Sequence, residues 1–354
     1  MTTMTLSTLR SSSAEELLAR SFRERQPIIQ PWLRTEESAV IWAASGVGKT
    51  MLCLSVALAV AGGGAVGDWD APEPRKVLYI DGEMNIQDIK ERIEILCATG
   101  GILTTKRKRT VALKNLTILA RQDQNVGQPF YDLTDPDAQN EILRRVRVGK
   151  FELLILDNFT TLTDGLEDEN ASVAFKQVQD FFLNLKRMGI ATILVHHSNK
   201  NGGAMRGSTA LETTFEVIIG LKKPSISRPG QSSFIADFGK YRSKGDNRLA
   251  PRTWKLEEDG WNVNEELPEN AEDDPYIKAL KSGNYISAAE IGRALGVDRS
   301  TVKRRLDRYI AAGDLKATDP QTYYSRAKAM RHVDLDGLSY FSPVDEDETL
   351  DEAF

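Results

Sequence analysis

The sequence has little sulfur and little imidazole: two cysteines, Cys53 and Cys97, and three histidines among 354 residues. Two thiols cannot build a disulfide scaffold or a four-ligand zinc site, and a reducing cytoplasm is the expected compartment. Three histidines, two of them adjacent, argue against a histidine-rich metal centre. Long apolar runs are also missing. The one extended stretch, Met51 to Ala65, contains Gly62, Gly63 and Gly64 and falls short of a membrane span. The start, MTTMTLSTLR, lacks a basic patch followed by an apolar core, so no secretion signal is expected. No charge dominates, since 46 Lys+Arg against 51 Asp+Glu give a net -5. An average says nothing about distribution, and nucleic acid is not excluded by it.

What is present suits a folded chain of two parts. The length accommodates one α/β core plus a smaller module. Residues 1–24 are polar, and a short helix is expected over 14–26. AVIWAASGVGKTMLCLSVALAVAGG reads as strand, glycine-containing loop and apolar helix. KVLYIDGEM is a second strand with an acidic end, followed by helical spacing from Ile86 to Cys97. LKNLTILA (113–120), FELLILDN (151–158) and GIATILVHH (189–197) are further apolar runs, the last preceded by a helical segment near 172–187. Strands alternating with helices predict a mostly parallel sheet covered on both faces. FEVIIGLKK and SSFIADFGKYRS, joined through a Pro-Gly turn at 229–230, and TWKLEEDGWNV are expected as antiparallel edge strands. The ATPase-like core spans 25–264 on this reading, an acidic linker 265–275, a second module 276–332 and an acidic tail 333–354.

Ala43-Ala44-Ser45-Gly46-Val47-Gly48-Lys49-Thr50 has the spacing of a phosphate-binding P-loop, with Ala43 in the first glycine position. Gly46 and Gly48 let the backbone curl so that N–H groups from Ala44 to Thr50 face phosphates. The following helix N-terminus adds a field favourable to negative charge. Lys49 is expected at the β and γ phosphates of ATP, and Thr50 on magnesium. Asp157, at the end of an apolar strand, is the second magnesium group. Hydrolysis needs a group that orients or activates water. Glu83 follows another buried strand whose end faces the same crevice; Asp81 is the alternative and is better suited to turning the chain. Asn158 orients an adjacent water or caps a turn.

His196 and His197 end a further strand. They serve as structural donors or report the γ-phosphate to the glycine-containing loop at 198–205, which includes Lys200 and Asn201. Arg206, Lys240 and Arg242 are late basic residues suited to binding phosphate within a subunit or to reaching a neighbouring one as an arginine finger.

Beyond the linker, ISAAEIGRALGVDRSTVKRRLDRYIAAGDL predicts two helices joined by a turn at Gly296. Val302, Leu306 and Ile310 form the inner stripe of the second helix. Arg299, Ser300, Thr301, Lys303, Arg304, Arg305 and Arg308 are the candidates for facing a DNA groove. Residues 277–332 hold 12 Lys+Arg and 5 Asp+Glu, a net +7, whereas 333–354 holds eight acids and no Lys or Arg. The basic face fits phosphate, although such helical pairs also serve as protein–protein modules. LysArgLysArg at 106–109 is a second basic cluster, or only a solvated loop. The tail recruits a protein partner, competes with DNA, or only keeps the chain soluble.

Taken together, ASGVGKT, LYIDGEM, LLILDN, VHHSNK, RGSTAL and GKYRSKG resemble the RecA-like ATPases of the RepA type, which include hexameric plasmid and phage replicative helicases. The resemblance covers roughly 25–255, and the C-terminal segment resembles winged helix-turn-helix domains. It implies an ATP- and Mg2+-dependent hydrolase with Glu83 as catalytic glutamate and Asp157 as magnesium aspartate. It also implies phosphate sensing at His196–His197 and single-stranded DNA at loops near 198–205. ATP would lie between subunits of a homo-oligomeric ring, with Arg206, Lys240 or Arg242 acting in trans. The function so implied is a DNA motor of a plasmid, phage or mobile element, guided to duplex DNA by its C-terminal domain. The alternative is a non-unwinding DNA-bound ATPase: a loader, recombination mediator or regulator of transcription or copy number.

Overall fold

The computed structural model describes residues 9–163, 171–198, 205, 213–224, 230–265 and 271–337. The chain divides into two compact units, Met1–Glu266 and Leu267–Phe354. Among the described residues no helix is long and apolar enough to cross a membrane.

The first unit opens with α1 (Ala14–Ala19), shorter than the helix expected over 14–26. Ser13 and Glu16 form a reciprocal capping box, but none of its residues is buried, so nothing extends it toward Gln26. The hairpin β1 (Pro27–Ile29) and β2 (Leu33–Arg34) leads into β3 (Ser38–Ala43) and α2 (Lys49–Gly62). A second small hairpin, β4 (Ala65–Val66) and β5 (Trp69–Asp70), precedes β6 (Val77–Asp81) and α3 (Ile86–Ala98). Next come α4 (Lys106–Asn115), β7 (Leu116–Ala120), α5 (Pro136–Gly149) and β8 (Leu153–Asp157). The unit closes with α6 (Ala171–Arg187), β9 (Ala191–His197), β10 (Val217–Lys222), β11 (Ser233–Tyr241), β12 (Arg252–Glu257) and β13 (Gly260–Glu265).

Nine strands form one sheet in the order β13-β12-β11-β10-β3-β9-β8-β6-β7. From β10 to β7 all neighbours are parallel; β11, β12 and β13 add an antiparallel rim. The fold is thus α/β with a mixed sheet. Alternation along each strand sends residues to one of two cores. Ile41, Tyr79, Ile155, Ile193 and Val195 join the core that contains α2, while Val40, Leu78, Ile80, Leu156 and Leu194 join the core with Phe181 and Phe182 of α6. Because α2 is apolar on every side, the sheet, α4 and the rim can enclose it. Trp261 of β13 pins it from the rim, donating its Nε1–H to Ser55 Oγ at 2.9 Å.

One local expectation is corrected here. LysArgLysArg opens α4 and is not a loop: Thr105 caps Lys108 N–H, and the helix continues to Asn115 before the strand begins. The reason is packing, since Ala112 presses against Gly62 of α2, where a Cβ would approach Leu103 and Lys108 O within 2.5 and 2.8 Å.

The second unit contains α7 (Pro275–Lys281), α8 (Ala288–Leu295), α9 (Arg299–Ala312) and α10 (Asp319–Gly337). Ile277, Leu280, Ile291, Val302, Leu306, Tyr309 and Leu315 form its core. Ser287 caps α8, Gly296 ends it with φ +70, and Asp298 caps α9. The two helices expected on either side of a turn at Gly296 are therefore present. The expected wing is not: among the described residues the unit has no strand, and 319–337 is helical, its Tyr323 and Tyr324 packed on the core.

Candidate phosphate-binding and catalytic site

At the C-terminal ends of β3, β9, β8 and β6 the chain leaves the sheet around a cavity of about 400 Å³. The loop from Ala44 to Gly48 forms one wall. Gly46 and Gly48 have φ of +75° and +115°, which admits glycine and strains any residue with a Cβ. Lys49 begins α2, and its Nζ donates to Ala43 O and Ala44 O at 3.0 Å each. Burial lowers its pKa, opposed by the charge of Asp157. The ammonium is thus positioned by the loop's own carbonyls and aimed across its mouth.

Asp157 ends β8 on the α2 side of the sheet, buried, with its carboxylate hydrogen-bonded by Thr50 and by Tyr79 Oη at 2.6 Å. Burial raises its pKa, opposed by those two hydroxyls and Lys49. A carboxylate and a hydroxyl brought together beside a phosphate loop form the hard oxygen donor set that suits magnesium. An ion held there would neutralise charge on the β and γ phosphates. Asp81 pairs in register with Asp157 on the adjacent strand. Its Oδ1 accepts the N–H groups of Glu83 and Met84 at 2.9 and 2.6 Å, which turns the chain after β6. Burial, then the charge of Asp157, pushes its pKa up to about 7. Glu83 emerges from that turn exposed at the cavity edge, where Asn158 Nδ2 donates to its Oε2 at 2.5 Å. Asn158 Oδ1 accepts Thr161 N–H at 3.1 Å, so the amide is held with its donor toward Glu83. Asn158 therefore both caps a turn and orients a carboxylate.

The two histidines part company. His197 lines the cavity, its Nδ1 3.4 Å from Lys49 Nζ. His196 points to the opposite sheet face and packs edge-on against Phe159 at 5.3 Å, almost fully buried. The assignment of His196 to the phosphate is corrected on this ground: adjacent residues of a strand cannot face the same side. Lys240 and Arg242 lie elsewhere too. Tyr241 pairs with Val217 and Val217 with Ala39, about 13 Å of strand below Ala43. There Arg242 donates to Thr213 O and lies 3.8 Å from Glu216. Neither reaches the phosphate loop of its own chain, so an intrasubunit role is corrected as well. Lys200, Asn201 and Arg206 lie outside the described residues. Ser198 and Met205, on either side of residues 199–204, form an antiparallel bridge, and Ser198 N–H is bonded to Ala43 O at 3.0 Å.

Sequence reasoning missed Tyr79, Arg92, Gly230 and Ser232. Arg92 lines the cavity from α3, and Gly230 and Ser232 line it from the residues just before β11. Tyr79 carried a readable signal, a hydroxyl inside the apolar run VLYI that needs a buried partner. Contacts from a neighbouring strand or a distant loop leave no trace in local spacing.

The second candidate surface is α9. Arg299, Ser300, Lys303 and Arg304 are exposed, while Thr301 and Arg308 are half-buried. Among the described residues Arg299, Lys303 and Arg304 make no ion pair. Ser300 and Thr301 hydroxyls donate to Asp298, at 2.5 and 2.9 Å, and serve as caps. Arg305 is corrected: it turns inward, buried, and its Nε and Nη2 each donate to Asp274 Oδ2 at 2.8 Å. Helical spacing puts it beside Val302, Leu306 and Tyr309, on the core side.

A model of the AAA domain family matches residues 3–203, more than half of the chain. No curated protein matches the chain. Among solved structures it is similar to a KaiC-like protein from Pyrococcus horikoshii OT3, at 13% identity and a TM-score of 0.47, covering 69% of this chain and 98% of that one. It is also similar to the flagellar accessory protein FlaH from Methanocaldococcus jannaschii, at 13% identity and a TM-score of 0.45, covering 65% and 90%.

Proposed function

The chain belongs to the AAA domain family, is a P-loop ATPase that binds and hydrolyses ATP, and from that premise we propose that it is a DNA motor. On this reading it works as a ring of identical subunits, of the RepA type, in the replication of a plasmid, phage or mobile element. The observation that carries it is the face of α9, where Arg299, Lys303 and Arg304 stand exposed at the start of the second helix of a helix–turn–helix pair. A cationic face of this kind matches duplex phosphates and a major groove. The far-end placement of Lys240 and Arg242 supports the ring, because these cations can meet a phosphate site only on another copy. The bridge between Ser198 and Met205 supports coupling of the 198–205 loop to ATP, since its root is hydrogen-bonded to the last residue of β3.

In this scheme Glu83 orients the attacking water under the control of Asn158, and Lys49 with an incoming arginine steadies the transferred phosphoryl group. His197 reports the γ-phosphate to the loop that holds single-stranded DNA. The test is strand separation on forked DNA, with ATP hydrolysis measured alongside. Unwinding that needs ATP, with duplex affinity falling several-fold in Lys303→Ala and Arg304→Ala, is the expected result. No unwinding, with hydrolysis still stimulated by duplex DNA, would replace the motor with a DNA-bound ATPase switch, a loader, mediator or regulator.

A further inference from the structure

We propose that Tyr79 is a positioning residue for magnesium at the ATPase site, acting through Asp157. Its ring is fully buried in the core that encloses α2, and its hydroxyl donates to Asp157 Oδ2 at 2.6 Å. Phenylalanine would fill the same volume without a polar atom. A buried hydroxyl is tolerated where it is partnered, and the partner here is the carboxylate that ends β8.

The geometry gives that bond a specific task. Tyr79 lies two residues before Asp81, on the same sheet face, and Asp81 pairs in register with Asp157. The hydroxyl therefore approaches Asp157 from beneath, from the sheet, and the cavity lies on the other side with Ser45, Gly46 and Thr50. Thr50 also bonds Asp157, but its hydroxyl is one of the two oxygen donors suited to the metal. That hydroxyl can hold an ion on its oxygen while donating its proton to Asp157, so the position of its bond depends on the ion. Tyr79 has no such second duty. With Oδ2 held from below, turning the carboxylate about its last bond would break this hydrogen bond. Partners of this kind are what fix a metal ligand, and their loss typically weakens metal binding about 10–100-fold.

The experiment is Tyr79→Phe in the full chain, with Mn2+ as the probe for the magnesium site, read by electron paramagnetic resonance in the presence of ADP. Nucleotide affinity without metal and the unfolding temperature are measured in parallel. The expected result is metal binding weakened about tenfold, with metal-free nucleotide affinity changed less than about twofold. The metal concentration giving half-maximal hydrolysis should rise by the same factor. In an Asp157→Asn background the same Tyr79→Phe change should leave metal affinity within about twofold, because the carboxylate through which it acts is gone. Unchanged Mn2+ affinity in Tyr79→Phe, whatever happens to the unfolding temperature, would reduce Tyr79 to a packing residue. An equal loss in the Asp157→Asn background would also overturn the proposal.

Discussion

Arg305 and Arg304 are adjacent in sequence, carry the same charge, and are expected to fail in opposite ways. Asp274 is fully buried in the second unit. Its Oδ2 accepts Nε and Nη2 of Arg305 at 2.8 Å and the hydroxyl of Tyr309 at 2.7 Å, and its Oδ1 accepts Tyr276 N–H at 2.7 Å. Arg305→Ala leaves a carboxylate in the core without its counter-charge, a change that costs about 3–5 kcal/mol. A unit of this size is stable by only about 5–10 kcal/mol, and each kcal/mol shifts the melting temperature by roughly 4–8 °C. A loss of more than about 12 °C is therefore expected for this unit. Arg304→Ala, on the exposed face, is expected to stay within about 0.5 kcal/mol of the parent. Hydrogen exchange on the full chain separates the two: protection across 275–331 should collapse in Arg305→Ala and persist in Arg304→Ala, with the sheet unaffected in both. Unchanged protection in Arg305→Ala would refute the argument that Arg305 is a core residue.

Asp81 takes up a proton on folding, because burial and Asp157 raise its pKa from 3.8 to about 7. Its contribution to stability is therefore fully present at and below about pH 4 and is lost as pH rises from there through about 7. Asp81→Asn keeps the acceptor for Glu83 and Met84 and removes the titration, so the fall in melting temperature between pH 5 and 8, without nucleotide or metal, should be smaller in the variant; an equal fall would contradict the assignment. Gly48→Ala places a Cβ at φ +115°, 3.4 Å from Phe234, and should cost about 1–2 kcal/mol by denaturant titration and weaken ATP binding. Arg92 lines the cavity beside Glu83 and Met84, so Arg92→Ala should lower affinity for ATP more than for AMP; an equal loss for both would remove it from the phosphate end.

The phosphate loop was legible because its chemistry is local: strand, two glycines, Lys49 and Thr50 follow one another along the chain. Asp157 was legible for a similar reason, as an acid ending an apolar run. The antiparallel rim followed from two β-rich segments separated by a Pro-Gly pair. Parity alone separates His196 from His197, since neighbours on a strand face opposite sides of the sheet. The helical period turns Arg305 inward with Val302 and Leu306, where its charge alone suggests exposure. The partnerships of Tyr79 with Asp157 and of Asn158 with Glu83 span 78 and 75 residues, and pairing between strands sets such distances. That no wing strand occurs among the described residues is a matter of context as well, because 319–337 carries two tyrosines that pack as a helix on the second unit's core.

We propose that one cavity, built from Lys49, Thr50, Asp157 and Glu83, hydrolyses ATP with Glu83 acting on water. Steady-state ATP hydrolysis by Glu83→Gln, with Mg·ATP binding measured on the same sample, tests it most directly. The amide keeps an acceptor for Asn158 and cannot take a proton, so turnover should fall at least about a hundredfold while Mg·ATP affinity stays within a few-fold of the parent. Turnover near the parental rate, with binding intact, would contradict the claim and move the water-activating group to another side chain of the cavity.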